Sequence, residues 1–359
     1  MRHGNGLTER LGLQLPLIQA PMAGVSTPEL AAAVTEAGGL GSLGLGAMTP
    51  EAAGDALARA RALTAGPINA NVFCHAPVPP DPARHAAWLA RLRPLFARFG
   101  AEPPADLPEL YRSFAGNAAL LEVLLEARPA VVSFHFGLPG GDALARLRAA
   151  GCVLIATATS AAEARRIAAA GLDAVIAQGW EAGGHRGIFA PDGPDDRLGT
   201  LSLTRALAAG CGLPVIAAGG IMDGAEIAEA ERAGAAAAQL GTAFVGCPES
   251  AADDGYRAAL HSDAAGTTVM TRVFSGRPAR ALGNAMTRWA TDLPDTAIPA
   301  YPHAYAAGKA LATAAAARGE AGYSAHWAGQ GAPRGRAMPA RALVARLAEE
   351  RTAALAPET

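Results

Sequence analysis

A single histidine, His185, lies in the glycine-rich heptapeptide EAGGHRG at 181–187, directly after the apolar run AVIAQG at 174–179. Glycine costs backbone entropy on folding, so three glycines here predict a sharp turn or a close approach of the backbone to a ligand. An unperturbed histidine has a pKa of about 6.5, which suits proton transfer near neutral pH. The stretch therefore predicts a catalytic role for His185, against the alternative of a structural histidine.

Two further turns with glycine also follow apolar runs, AGGI at 218–221 and QLGT at 239–242. Backbone amides exposed by glycine at such turns can bind phosphate. The candidate phosphate ligands are Gly219, Gly220, Gly241 and Thr242. The alternative is that these glycines only make tight turns, which explains one cluster more easily than two. The chain has neither a GxxxxGK[ST] loop nor a GxGxxG turn after a strand, so the phosphate is expected to belong to a cofactor bound in another way.

Polar side chains of other types follow the remaining apolar runs. The amides Asn71, Gln178 and Gln239 suit the donor and acceptor edge of a flavin ring better than a metal. His75 and His135 also follow apolar runs, which raises the alternative of a three-histidine metal site with His185. These histidines come from separate runs without a carboxylate cluster, so we predict no metal and a packing or supporting role for His75 and His135.

The elements that position these residues repeat one pattern, in which an alanine-rich amphipathic helix ends in Ala-Gly and a short apolar strand follows. The pattern occurs at Ala37-Gly38, Ala150-Gly151, Ala170-Gly171 and Ala233-Gly234. In all, eight apolar runs are predicted as strands, near residues 15–20, 40–43, 68–72, 130–134, 153–157, 174–178, 214–218 and 237–240. Eight βα units predict a (β/α)₈ TIM barrel, whose chemistry gathers at the carboxyl ends of the strands. An open doubly wound sheet uses the same units and is the alternative.

The barrel is predicted to span 1–249, with a helical insertion at about 77–128 and a helical substrate cap at 250–359. Lys+Arg number 30 against 32 Asp+Glu, a net charge of -2 that argues against nucleic acid or an anionic membrane as partners. The four cysteines lack metal-ligand spacing and no apolar export signal follows Met1, so we expect a cytoplasmic protein. Homo-oligomerisation stays open, because no heptad pattern marks an interface.

The predicted cap contains two tyrosines and a lysine, Tyr301, Tyr305 and Lys309, spaced at i, i+4 and i+8. On a helix the three would share one face. Lys309 is the only lysine of the chain, so an otherwise arginine-based composition keeps an ammonium here. The residue is predicted to hold an anionic substrate or, alternatively, to lie on a solvated helix face.

These motifs resemble the nitronate monooxygenases, formerly called 2-nitropropane dioxygenases, and in particular their bacterial class I members. The resemblance rests on segments that stand in the family's order between Gln19 and Gly331: QAPMAGVSTPELAAAV, AGGLGSLG, NVFCH, VSFHFGLP, AQGWEAGGHRG, AAGGIMDG, QLGTAFVGCPES, SGRPAR and WAGQG. It implies an FMN-dependent barrel without a metal, which oxidises alkyl nitronates such as propionate-3-nitronate with O₂ to a carbonyl compound and nitrite.

The resemblance also implies roles for individual residues. By matching motif, the FMN contacts would be Pro21, Met22, Ala23, Asn71, Gln178, Gly183, Gly219, Gly220, Gln239, Gly241, Thr242 and Gln330. His185 matches the family's active-site histidine, and the substrate cavity would be lined by Tyr111, Tyr301, Tyr305 and Lys309. The alternatives are a reductase of the same superfamily that takes hydride from NAD(P)H for an enoyl thioester or a quinone, and a flavin-free barrel that binds a phosphorylated ligand.

Overall fold

The computed structural model describes residues 5–356, which alternate between short strands and amphipathic helices. The strands are β1 (Leu17–Gln19), β2 (Gly41–Gly44), β3 (Ile68–Phe73), β4 (Val131–His135), β5 (Val153–Ala158), β6 (Ala174–Gln178), β7 (Gly184–His185), β8 (Val215–Ala218), β9 (Ala237–Leu240), β10 (Thr268–Thr271) and β11 (Ala279–Leu282). The helices are α1 (Asn5–Arg10), α2 (Pro28–Glu36), α3 (Pro50–Leu63), α4 (Pro82–Arg98), α5 (Ala118–Ala127), α6 (Gly141–Ala149), α7 (Ala161–Ala169), α8 (Thr200–Gly210), α9 (Gly224–Arg232), α10 (Thr242–Val245), α11 (Asp254–Leu260), α12 (Ala285–Trp289), α13 (Ala304–Ala316) and α14 (Ala340–Leu355).

Eight of the strands form a parallel barrel. Their order is β1-β9-β8-β6-β5-β4-β3-β2. The ring closes between β1 and the residue before β2, where Ile18 pairs with Leu40 and the Gln19 amide donates to the Leu40 carbonyl over 2.9 Å. A closed ring of eight parallel strands confirms the predicted TIM barrel and excludes the open doubly wound sheet.

Side chains alternate between the inside and the outside of the barrel along each strand. In β6, Val175 packs outward against the helices, whereas Ile176 lies in the apolar cluster inside the barrel. The inner cluster continues to Leu7 of α1, beyond the amino ends of the strands. Polar side chains replace apolar ones at the opposite end, where Gln178 is the last residue of the same strand. Along β6, the inside of the barrel is therefore apolar for most of the strand and polar at the carboxyl end.

The predicted helix ends are present where the chain turns toward the next strand. Gly38, Gly151, Gly171 and Gly234 all have positive φ, between 73° and 100°, as expected for glycine just past a helix C-terminus. At the amino ends, Ser160 accepts a hydrogen bond from the Glu163 amide and Asp223 accepts one from the Glu226 amide. These caps fix the residues at which the helices begin and end.

The insertion between β3 and β4 contains two helices with different neighbours. Helix α5 packs against α3 on the outside of the barrel. Helix α4 packs instead against α13, and its Trp88 and Phe96 belong to a separate apolar cluster with Phe274 and Leu311. Half of the insertion thus supports the segment that covers the barrel mouth.

The segment after residue 250 contains strands as well as helices. Strands β10 and β11 form an antiparallel hairpin, and β11 pairs in turn with β7. The last helix, α14, packs against α9 and α2 on the outside of the barrel, where Leu343, Val344 and Leu347 are fully buried. The division of the chain at residue 249 stays a prediction, but α14 lies on the barrel wall and not over its mouth.

Candidate active site

A cavity of about 650 Å³ opens at the carboxyl ends of the barrel strands, below α13 and the segment around 251–256. Its volume lies within the range of small-molecule and cofactor sites. Most of the residues that the sequence singled out line this one cavity: Pro21, Met22, Ala23, Asn71, Tyr111, Gln178, Gly183, His185, Gly219, Gly220, Gln239, Gly241, Thr242, Tyr305 and Lys309. The strand-end residues are therefore brought together as the barrel prediction requires.

Two of the candidate residues are not part of the cavity lining. Tyr301 is buried behind it, with its ring 5.7 Å from that of His185. It also precedes α13, which begins at Ala304, so the prediction of one helical face shared with Tyr305 and Lys309 is wrong for Tyr301. Gln330 is exposed, and its backbone amide donates to the Glu181 carbonyl over 2.9 Å.

The glycines of EAGGHRG allow close backbone contacts on both sides of His185. A Cβ at Gly183 would lie 2.4 Å from the Gly329 nitrogen, and one at Gly187 would lie 2.5 Å from Cγ2 of Thr157. Gly184 has a φ of +71°, which L side chains rarely adopt. Between these contacts the loop forms β7, which brings His185 opposite Ala279 of β11. The glycines thus let the histidine loop fit between the barrel and the hairpin.

Polar side chains hold the same loop from below. The Gln178 amide donates to the His185 carbonyl over 3.0 Å and its oxygen accepts from the Gly187 amide over 2.7 Å. His135 Nε2 lies 3.2 Å from the same carbonyl. Arg186, next in the chain, is buried and forms a bidentate ion pair with Asp195 at 2.8 Å. Both polar atoms of the Gln178 side chain, which was predicted as a cofactor contact, therefore bond to the histidine loop.

The imidazole of His185 lies in an aromatic surrounding. Its Nε2 is 2.9 Å from Oγ of Ser275, and its ring centroid lies 5.8 Å from that of Tyr305 and 5.0 Å from that of Trp327. Burial lowers the pKa of His185 well below 6.5, and the neighbouring His135 and Arg277 lower it further. At neutral pH the ring is uncharged.

The glycine turns after β8 and β9 form the other end of the cavity. Gly219 and Gly220 both have positive φ, 130° and 72°. Thr200 Oγ1 donates to the Gly219 carbonyl over 2.9 Å, while its own amide donates to the Glu181 carboxylate over 2.8 Å. A Cβ at Gly219 would lie 2.7 Å from Thr200 Oγ1, so no other residue fits without a shift. This packing keeps the backbone of the turn open to a ligand.

Two observations fit a bound flavin nucleotide in this cavity: a buried acceptor that suits a ring N–H, and glycine turns that suit a phosphate. Oε1 of Gln239 is buried beside the cavity and has no hydrogen-bond partner among the described residues, so a ligand donor would satisfy it. The glycine turns supply backbone rather than cationic side chains, as in other phosphate sites of barrels. Within residues 5–356, no group of three or more His, Cys, Asp or Glu side chains could hold a metal ion.

Tyr111 and Tyr305 close the side of the cavity toward α13, with ring centroids 5.2 Å apart in an edge-to-face arrangement. The Lys309 ammonium lies 5.1 Å from the centroid of the Tyr111 ring, within cation–π range. Lys309 itself is exposed at the rim. A small substrate would therefore meet aromatic walls, one neutral histidine and one cation.

Sequence reasoning did not single out several residues that shape the site. Ser275 contacts His185, Arg277 lies behind Phe136 with its guanidinium carbon 4.1 Å from the ring centroid, and Trp327 forms part of the wall. Ser275 and Arg277 lie in the segment SGRPAR, and Trp327 begins WAGQG. Both segments carried the resemblance, but nothing local in them indicated a contact with His185.

Within residues 5–356, no helix is both long and apolar enough to cross a bilayer.

The comparisons with known proteins agree with this geometry. A family model described as nitronate monooxygenase matches residues 5–350. A nitronate monooxygenase of Paraburkholderia phytofirmans is 58% identical over 341 residues, covering 95% of this chain and 93% of the relative. One of Pseudomonas aeruginosa is 52% identical over 343 residues, covering 96% and 98%.

Among solved structures, a nitroalkane oxidase from Streptomyces ansochromogenes is similar, with a TM-score of 0.88 and 44% identity over 95% of this chain and 97% of that one. Because the family model spans almost all of the described residues and the two relatives share more than half of their residues with it, the chain belongs to the nitronate monooxygenase family.

Proposed function

We propose that this chain is an FMN-dependent monooxygenase that oxidises alkyl nitronates with O₂ to a carbonyl compound and nitrite. The observation that carries the proposal is the uncharged His185 in an aromatic cavity that the glycine turns after β8 and β9 also line. Family membership and two relatives named nitronate monooxygenase support it. All four cysteines are unpaired, which supports a cytoplasmic location.

FMN suits the cavity as the flavin. Its phosphate would meet Gly219, Gly220, Gly241 and Thr242, and its ring would lie near Asn71, Gln178, Gln239, Gly183 and the residues Pro21, Met22 and Ala23 that also line the cavity. When bound, FMN would accept electrons from the substrate and deliver them to O₂. Release of the bound cofactor by acid, followed by mass spectrometry, would distinguish FMN from FAD.

The chain's own residues have to hold an anion and exclude water. A nitronate is already the conjugate base of a nitroalkane, so oxidation needs no prior proton abstraction and positioning is the main task. The Tyr305 hydroxyl is protonated, because burial raises its pKa well above 10, and it can donate to a nitronate oxygen. Lys309 adds a positive charge at the rim. The aromatic walls keep these interactions in a medium of low polarity.

The test is to mix the purified protein with a nitronate in the absence of oxygen and to follow the flavin absorption. Nitronate should reduce the flavin, and nitrite should form once air enters. In His185→Asn the rate of reduction should fall by about 100-fold, the effect of misplacing the substrate by on the order of 1 Å against the flavin. The flavin content of the variant should stay that of the wild type, since the phosphate turns are unchanged.

Two outcomes would contradict the proposal. If nitronate leaves the flavin absorption unchanged but NADH or NADPH bleaches it, the protein is a reductase of the same superfamily. If the protein stays colourless after addition of FMN, the proposal that it binds a flavin is wrong.

A further inference from the structure

Ser275 lies in the connection between β10 and β11, directly against the active-site histidine. Its side chain is fully buried, and its Oγ lies 2.9 Å from Nε2 of His185. The same Oγ lies 3.1 Å from the Arg277 carbonyl and 3.2 Å from the Arg277 amide nitrogen. One hydroxyl thus meets three polar atoms at hydrogen-bond distance.

The hydroxyl can satisfy all three contacts in only one way. A serine hydroxyl has one hydrogen to donate and two lone pairs to accept with. The Arg277 carbonyl can only accept, so the Ser275 hydroxyl donates its one hydrogen to it. The Arg277 amide can only donate, so it occupies one of the two lone pairs of the same hydroxyl. The remaining lone pair must then accept from His185, which requires a hydrogen on Nε2. The opposite arrangement would leave the buried Arg277 carbonyl without this donor, which is costly.

The other ring nitrogen, Nδ1, has a different position. Among the hydrogen bonds of residues 5–356, none involves Nδ1 of His185, and the residue lines the cavity. Burial and the nearby Arg277 lower the pKa of the imidazole, so only one nitrogen carries a hydrogen at neutral pH. With that hydrogen on Nε2, Nδ1 presents a lone pair.

We propose that Ser275 is a positioning residue that holds His185 as its Nε2–H tautomer and so makes Nδ1 the hydrogen-bond acceptor of the cavity. The tautomer itself follows from the contacts alone. Which group donates to Nδ1 rests on the proposed function. A nitronate oxygen would not find a donor in His185. The donors for the anion are then Tyr305 and Lys309, while Nδ1 receives a hydrogen from a bound water.

A purely structural role for Ser275 has to be separated from this one, because its bonds to Arg277 also close the turn at Gly276, which has a φ of +87°. Both roles predict that Ser275→Ala loses stability. Only the positioning role predicts a change in where the imidazole hydrogen lies. A direct reading of the tautomer is therefore the decisive measurement.

We would record ¹⁵N–¹H spectra of the flavin-loaded protein labelled at histidine, and identify the His185 signals by their loss in His185→Asn. Wild type should show a protonated Nε2 and an unprotonated Nδ1. In Ser275→Ala the ratio of the Nε2–H to the Nδ1–H form should fall about five- to tenfold, the size of one hydrogen bond. Ser275→Thr, which keeps the hydroxyl, should retain the wild-type ratio.

The matched control is Ser250→Ala, a buried serine of the same segment whose Oγ donates to the Val245 carbonyl. It should leave the His185 signals unchanged, and nitronate turnover should fall in Ser275→Ala only, in proportion to the lost fraction of the Nε2–H form. A wild-type Nδ1–H form, or an unchanged ratio in Ser275→Ala, would overturn the inference. If the tautomer is as expected but wild type oxidises no nitronate, the proposed function fails and the assignment of Ser275 stands.

Discussion

Among single residues, Arg277 is a buried charge that acts on all three histidines near the site. Its guanidinium is buried over the ring of Phe136, and no carboxylate pairs with it among the described residues. Burial lowers its pKa to about 10, so it keeps its charge at neutral pH. That charge adds to burial in lowering the pKa of His75, His135 and His185. The histidines stay neutral, and the positive field that an anionic substrate meets comes from arginine and lysine.

Lys309 gives a test of this field at the rim. Lys309→Met should raise the KM for propionate-3-nitronate about fivefold, the effect of losing one exposed ion pair with the substrate carboxylate. Ethylnitronate has no carboxylate, so its KM should change by less than about twofold. Steady-state nitrite assays with both substrates make the comparison. Equal changes in the two KM values would mean that Lys309 does not contact the carboxylate. If neither KM changes, Lys309 does not bind substrate.

At the level of elements, the hairpin β10–β11 joins the covering segment to the barrel. It pairs with β7 through His185 and Gly184, so the active-site loop belongs to a small sheet as well as to the barrel mouth. Helix α13 packs closely on the same segment, since a Cβ at Gly308 would lie 2.9 Å from the Phe274 carbonyl. The position of Tyr305 and Lys309 depends on this close contact.

Two glycines in helices provide a matched pair of substitutions. Gly308→Ala should lower the free energy of unfolding by about 1–3 kcal/mol, because the added methyl group meets backbone. Gly54→Ala in α3 should raise it by about 0.5–1 kcal/mol, since its Cβ would make only an ordinary contact, 3.7 Å from Val123 Cγ1. Urea unfolding measures both. Shifts of the same sign would contradict the close packing of α13.

The barrel was predictable because its signals are local, whereas the small sheet was not. Each barrel strand is a short apolar run, and four of them follow an Ala-Gly helix end, as at Ala150-Gly151 before β5. Strand β7 has two residues, and its partner β11 lies about 90 residues away in the chain, so no local period reveals the pair. Ser275 could not be recognised for the same reason. Tyr301 was misread because the spacing ignored Pro302, after which α13 begins.

For the molecule as a whole, the neutral buried histidines predict how stability depends on pH. The pKa of His75 and that of His135 are each lowered to about 4, chiefly by burial, from 6.5 in the unfolded chain. Between these values the unfolded chain binds more protons than the folded one, so stability rises with pH. The contribution is complete above about pH 6.5 and is lost as the pH falls toward 4. Each histidine accounts for at most about 3 kcal/mol.

Urea unfolding between pH 4 and pH 8 would measure this dependence. The free energy of unfolding should be flat above about pH 6.5 and decline below it, and His75→Gln should make the decline shallower. The exposed His261→Gln is the matched control and should keep the wild-type slope. A stability that rises on acidification through this window would show that the buried histidines are charged in the folded protein.

The packing of α14 has a consequence for how the chain is made. Among the described residues, the helix that covers the apolar groove between α2 and α9 is Ala340–Leu355, although the last barrel strand ends at Leu240. Roughly 100 residues must therefore be synthesised between the completed ring of strands and the helix that seals it. At about 5–20 residues per second, the groove stays open for on the order of ten seconds on the ribosome. During that time Leu30, Val34 and Ile227 form the apolar surface that a chaperone would find on the nascent protein.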